Sequence, residues 1–264
     1  MVARIIVLAA QRPGVVDPLA QRFGVSHKCL VPIAGVPLID HVLRTVASHA
    51  VTADVMISVE PEIFDEVQGV IDRLPPGSRP VHCAASANNI ADSVFAAARG
   101  HFGPIIITTA DNALLTPDAI DAVVKTLTQG ADVAIAMAKR ESVLAMHPDA
   151  QRRFYRFADA SYSNCNLYAM AGPQALQGAE IFRGGGQFAK KAGRIIEAFG
   201  LINLILLRSG LISLPRALAR ISRRIDLTIA PIILSDGRNA IDVDNERTYA
   251  IVEGLISPRP QSSH

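Results

Sequence analysis

Short runs of consecutive apolar residues recur along the first 140 positions, and stretches whose apolar residues return every three or four places separate them. Residues 4–9, Val55–Val59, Val81–Ala84, 105–109 and Val133–Ala138 have the length and aliphatic content of strands buried on both faces. Leu38–Ser48, Glu62–Leu74, Ile90–Arg99 and Pro117–Thr126 carry helical spacing, the second closed by Pro75-Pro76-Gly77 and the last opened by Thr116 ahead of Pro117. Such alternation predicts a mostly parallel sheet with helices on both faces. After Lys139 the pattern changes. Arg152–Met170 reads as two short strands around a turn at Ala158–Ala160, an antiparallel excursion. Phe188–Ile225 reads as helical, Ile229–Leu234 and Ala240–Val243 as strands, and Glu246–Leu255 as a final helix. No linker or repeat interrupts the sequence. Residues 1–256 are therefore expected to form one domain with a basic helical insert at about 183–225, and 257–264 a flexible tail.

The strand ends carry the chemistry. Strand one runs into a loop holding Arg12, Gly14 and Lys28, which is how an α/β protein offers phosphate-binding groups at the carboxyl edge of its sheet. Gly14 permits an unusual backbone angle, and Arg12 supplies a forked donor for phosphate oxygens. The strand ending at Thr109 delivers Asp111 to the same edge, a carboxylate for a metal beside cations for phosphate. Thr116 is the better helix cap, which frees Asp111 from that duty. Asp242 and Asp244 alternate on the strand predicted at Ala240–Val243, so their side chains are expected to leave opposite faces, with one reaching the metal.

Composition narrows the function. Half the residues are hydrophobic, 5% are aromatic and Trp is absent, as for aliphatic strands and Ala-rich helices. Three cysteines, Cys29, Cys83 and Cys165, lack C-x-x-C spacing and indicate neither a zinc site nor a disulfide framework; a cytoplasmic setting fits them. The opening MVARIIVLAA leads into a Gly/Pro loop rather than a cleavage site and reads as strand one. Charge is uneven. Arg183 to Arg224 holds nine basic residues and one acid, a local +8 in a chain of net +2, leaving −6 elsewhere. That segment is expected to meet an anionic partner: substrate, lipid or, least in keeping with its lack of interleaved aromatics, nucleic acid. Its apolar stretch AFGLINLILL is too short for a membrane span, leaving a buried helix or a peripheral contact at the inner face of a membrane or with a partner protein. His41, His82 and His147 have no triad or ligand spacing and are read as structural.

Five segments in order carry a resemblance: LAA with its basic, Gly-containing loop and KCLVPIAGVPLIDHVL, then ADSVFAAA, TTADNALLTPDAID, YSNCNLYAM and AIDVDNERTYAIVE. Together they resemble the MobA-like nucleotidyltransferases, over nearly the whole sequence apart from about 180–225. The departure lies at Gln11-Arg12-Pro13-Gly14 and the long loop before Lys28, where the family carries a Gly/Arg loop. The resemblance implies a Rossmann-like three-layer sandwich of the nucleotide-diphospho-sugar transferase (GT-A-like) type. It implies transfer of NMP from an NTP to a phosphorylated small molecule with release of pyrophosphate and use of Mg²⁺. ADSV leans towards CTP. Molybdenum cofactor guanylyl- or cytidylyltransfer and nucleotide-sugar glycosyltransfer are the alternatives. The last is weakened because Ala110-Asp111-Asn112 stands where a glycosyltransferase would end its central strand in D-x-D. A Rossmann oxidoreductase lacks its G-x-G-x-x-G.

Residue by residue, the resemblance implies catalysis by Lys28, Arg12 and Asp111. Nucleotide contacts fall to Ala9, Ala10, Gln11, Gly14, Ser86, Asn88, Asp92 and Ser93, although Ser and Asn before a helix are also ordinary caps. Acceptor contacts fall to Arg152, Arg153, Tyr155, Asn164 and Asn166. The metal falls to Asp111 with Asp244, and Asp242 is held in reserve.

Overall fold

The computed structural model describes residues 1–11, 14–176 and 210–257. Arg12, the insert as far as Arg208 with its apolar stretch, and the tail from Pro258 lie outside the described residues. The strands are β1 (Ala3–Leu8), the β2–β3 hairpin (Pro32–Ile33, Val36–Pro37), β4 (Thr52–Val59), β5 (Val81–Ala85), β6 (Ile105–Thr109), β7 (Val133–Lys139), β8 (Tyr155–Arg156), β9 (Ser161–Met170) and β10 (Ile229–Leu234). The helices are α1 (Pro18–Phe23), α2 (Leu38–Ser48), α3 (Phe64–Ile71), α4 (Ile90–Ala98), α5 (Pro117–Thr128), α6 (Arg140–Met146), α7 (Leu214–Ile225) and α8 (Glu246–Ile256).

The main sheet runs in the order β10-β7-β9-β6-β1-β4-β5, with β8 attached to β9. All pairings along it are parallel except those of β9, which lies antiparallel to both β6 and β7. Alternate residues feed two faces. Ile5, Val7, Ile106, Ala134 and Leu167 meet apolar residues of α2, α3 and α5. Ile6, Ile105 and Ile107 meet Val94, Ala97 and Ala98 of α4, while Met137 and Tyr162 meet Leu214, Leu218 and Ile221 of α7. Each such buried Leu or Ile contributes about 1.5–3 kcal/mol. The expected antiparallel excursion is present, its second strand ten residues long.

Besides the β2–β3 hairpin, three segments differ from the sequence reading. The loop after Gly14 contains α1, capped by the Asp17 carboxylate on Leu19 and Ala20 N–H and closed by Gly24 at φ 65°. Arg140–Met146 is helical. Ala240–Val243 is not a strand: a 3₁₀ turn, Gly237–Ala240, precedes an irregular stretch that joins no sheet. The turn is seated so closely on α6 that a Cβ on Gly237 would collide with the Ser142 carbonyl. No helix among the described residues is long and apolar enough to cross a membrane.

Candidate active site

The carboxyl ends of β1 and β6 lie side by side, Leu8 opposite Thr109, and Ala110 N–H continues the ladder to the Leu8 carbonyl. The backbone leaving β1 is fixed at two points. Ala9 N–H donates to the Ser58 carbonyl, and Gln11 N–H to Glu60 Oε1 at 2.8 Å. The Gln11 side-chain amide donates to the Ser26 carbonyl, closing the loop that carries Gly14 at φ 73°. Gly14 thus has the backbone angle its place in the sequence suggests. The short helix α1 brings the backbone back, and a 3₁₀ turn over Lys28–Leu30 directs Lys28 across the edge.

Lys28 Nζ donates to Asp111 Oδ2 at 2.5 Å and to Asp244 Oδ1 at 3.4 Å. Burial disfavours the ammonium, but the two carboxylates outweigh it and hold the Lys28 pKa above the ordinary lysine value. Asp111 is oriented by Thr109, whose hydroxyl donates to Oδ1 at 2.5 Å, and by Val243 N–H on its carbonyl. This last bond docks the 241–244 segment against the end of β6. Asp244 N–H donates to the Asp242 carbonyl and to Thr248 Oγ1, so the backbone turns tightly between the two acids. A strand would have sent them to opposite faces. The turn instead brings Asp242 and Asp244 both near Asp111.

Asp242 is buried. Burial first, then the charges of Asp111 and Asp244, raise its pKa well above the usual carboxylate range, against the pull of Asn166 and Lys28. Asn166 Nδ2 donates to Asp242 Oδ2 at 2.7 Å, whereas Oδ1 is buried without a hydrogen-bond partner. Asn166 reaches there because β9 bulges between its pairings to Ile135 and Met137, and Asn166 itself sits at φ 45°. In the same stretch β9 leaves β6 after the Ile107–Tyr168 pair, and Asn112 bridges the gap with a bond to the Cys165 carbonyl. The sheet is therefore parted where the acids gather. Among the described residues no three acidic, histidine or cysteine side chains converge to hold an ion as they stand; Lys28 lies within reach of Asp111 and Asp244. The donor set nevertheless fits a hard divalent cation, with oxygen ligands and an orphaned carboxylate oxygen among them.

The other residues singled out in the sequence are distributed as follows. Ser93 is buried, its hydroxyl accepting from Ala87 N–H at 2.9 Å and so shaping the turn after β5. Asp92 N–H is capped by Asn89, with Ser86 half-buried and Asn88 exposed beside it. Asn164 donates to Asn166 Oδ1 at 2.8 Å and to the Tyr168 hydroxyl. Tyr168 is pushed up to about 12, by burial first and then by Tyr155 and Asp242 nearby. Tyr155, Asn164 and Asn166 thus form a polar line leading to Asp242. Arg152 and Arg153 are exposed, and none of their hydrogen bonds among the described residues reaches this line. The sequence reading passed over Thr109, Tyr168, Thr248 and Glu60. Glu60 follows β4 at the same edge as Lys28 and was detectable by its position. Beside it, burial followed by the Glu60 charge pushes the Cys29 thiol up to about 12, so Cys29 stays a neutral packing residue.

The parted carboxyl edge of an α/β sheet is where such folds seat their ligands. The chain belongs to the MobA-like NTP transferase domain family, whose model matches residues 5–173. It is accordingly a transferase enzyme of the nucleotidyltransferase type. Solved structures share the fold. A hypothetical transferase from Thermus thermophilus superposes with a TM-score of 0.75 at 22% identity, over 94% of this chain and 100% of that one. 4-Diphosphocytidyl-2C-methyl-D-erythritol synthase from Anaerococcus prevotii gives 0.59 at 7% identity, over 97% and 98%. CMP:2-keto-3-deoxy-manno-octonic acid synthetase complexed with CTP gives 0.57 at 16%, over 96% and 98%. No curated protein matches the sequence.

Proposed function

We propose that this enzyme transfers a nucleoside monophosphate from an NTP, CTP in preference, to a phosphorylated small-molecule acceptor and releases pyrophosphate. The observation that carries the reading is the Lys28 ammonium poised between Asp111 and Asp244 at the end of the Gly14 loop. Binding of a triphosphate gives Lys28 new anionic partners at the edge it already crosses, and its charge offsets what builds on the α-phosphoryl oxygens. An acceptor phosphate oxygen forms a bond to the α-phosphorus in line as the bond to the bridging oxygen breaks, and pyrophosphate leaves with that electron pair. No covalent enzyme intermediate is needed, and rate comes from positioning and charge neutralisation.

Asp111, Asp244 and Asp242 would hold Mg²⁺, which when bound supplies further neutralisation of phosphate charge. Asn166 keeps the Asp242 carboxylate turned towards that place. The CTP preference draws on Asp92-Ser93-Val94 near the start of α4, and on the cytidylyl compounds in the names of two fold relatives. Incubation with each NTP, Mg²⁺ and a panel of sugar, alditol and cofactor phosphates, following pyrophosphate, tests the reading. Acceptor-dependent release, fastest with CTP, is expected. A clear preference for GTP would bring a molybdenum cofactor acceptor forward, and no release with any pair would end the proposal.

A further inference from the structure

Helix α7 buries Leu214, Ala217, Leu218 and Ile221 and turns Arg216, Arg220 and Arg223 outward. Spacings of four and three residues put these three guanidiniums on one face, along about 10 Å of helix. None of the three has an ion pair or side-chain hydrogen bond among the described residues, and the helix carries no acid to neutralise them. They line a cavity of about 420 Å³ together with Leu211, Ile212 and Ala219. Leu211 is 74% exposed beside it. The helix is held in place independently of the cavity, by its apolar face and by Leu214 N–H on Asp159 Oδ1 at 2.9 Å. No lining residue belongs to the Lys28, Asp111, Asp242 and Asp244 cluster.

We infer that this cavity is a second ligand site, one that takes a small organic phosphate. Three guanidiniums on one helix face, all lining the cavity, present forked donors to phosphate oxygens, a task for which the planar group is suited. Leu211, Ile212 and Ala219 give the organic portion an apolar floor, and the volume admits a small molecule. The concave, three-cation form favours a discrete ligand over a flat lipid surface.

Phenyl phosphate is a suitable probe, titrated calorimetrically into the full chain without Mg²⁺. Saturable binding is expected in the wild type and, within about twofold, in Lys28→Ala, because Lys28 lies outside the cavity. Each single change of Arg216, Arg220 or Arg223 to Gln should weaken binding by roughly threefold to tenfold, and the triple change should abolish it. All three side chains are exposed, so melting curves of the single variants should match the wild type. Absence of saturable binding in the wild type would overturn the inference. So would binding lost in Lys28→Ala but kept in the triple variant, which would move the anion to the catalytic edge. Binding of phosphatidylglycerol vesicles that phenyl phosphate cannot displace would overturn it as well, in favour of a membrane surface.

Discussion

At the scale of single residues, the centre is a lysine whose charge is committed to two carboxylates before any substrate arrives. Removing Lys28 leaves two acids without their cation and, on the proposed function, a triphosphate without its partner. Lys28→Ala and Asp111→Asn should each lower turnover by at least about a hundredfold, the scale of losing one charge-stabilising group, with folding intact. Steady-state pyrophosphate release, read beside the melting temperature, checks this. Asn166 acts one step further back, through Asp242. Asn166→Ala should remove the hydrogen bond to the Asp242 carboxylate and weaken Mn²⁺ binding, measured by electron paramagnetic resonance, by roughly tenfold. Unchanged Mn²⁺ affinity would assign Asn166 to the acceptor instead.

At the scale of elements, two junctions decide whether the edge stays assembled. Arg4 grips Asp54 through two bonds, of 3.0 and 2.6 Å, and caps the carbonyls of Ala97 and Arg99, tying β1 to β4 and to the end of α4. The Arg4 hydrogen bonds hold the Asp54 pKa below the usual carboxylate value, so this contribution is present above the unfolded aspartate pKa of about 3.9 and fades as pH falls through the lower folded value. Asp54→Asn should therefore lower the melting temperature at neutral pH and flatten its dependence on pH below about 4. The second junction is Gly237 on α6. Gly237→Ala forces a Cβ into the Ser142 carbonyl, and should cost about 1–3 kcal/mol in chemical denaturation while shifting the turn that leads to Asp242.

These junctions also explain how much was legible beforehand. Aliphatic runs made β1, β4, β6 and β7 readable, because a strand buried on both faces leaves little ambiguity. The polar Asn164-Cys165-Asn166 interruption disguised the length of β9, and its polarity is what reaches the acids. Asp242 and Asp244 followed the period of a strand. Their convergence arises from a two-residue turn fixed by contacts with Asp111 and Thr248, which lie far away or ahead in the sequence and leave no local signature. Lys28 was readable as a cation at the edge, but its two acidic partners come from positions 83 and 216 residues later.

At the scale of the whole molecule, the candidate edge draws on β1, β4 and β6 and on the α1 return, so a nucleotide bound there as proposed would bridge segments far apart in the sequence. Ligand that binds only the folded state raises its stability. With Mg²⁺ present, CTP should raise the melting temperature more than ATP, GTP or UTP, read by differential scanning fluorimetry; equal shifts for all four would remove the cytidine preference.

The placement of β9 between β6 and β7 has a temporal consequence. The two neighbours it joins are finished by residue 139, yet neither can pair along that seam until synthesis reaches Met170, and β10 must then extend the far side. During synthesis the growing polypeptide therefore holds a half-sheet of β6, β1, β4 and β5 and an unpaired β7 for the time needed to add the residues up to Met170, a few seconds at about 5–20 residues per second. Nascent polypeptides stalled before Ser161 should be digested readily by protease, and those stalled well beyond Leu234 should resist.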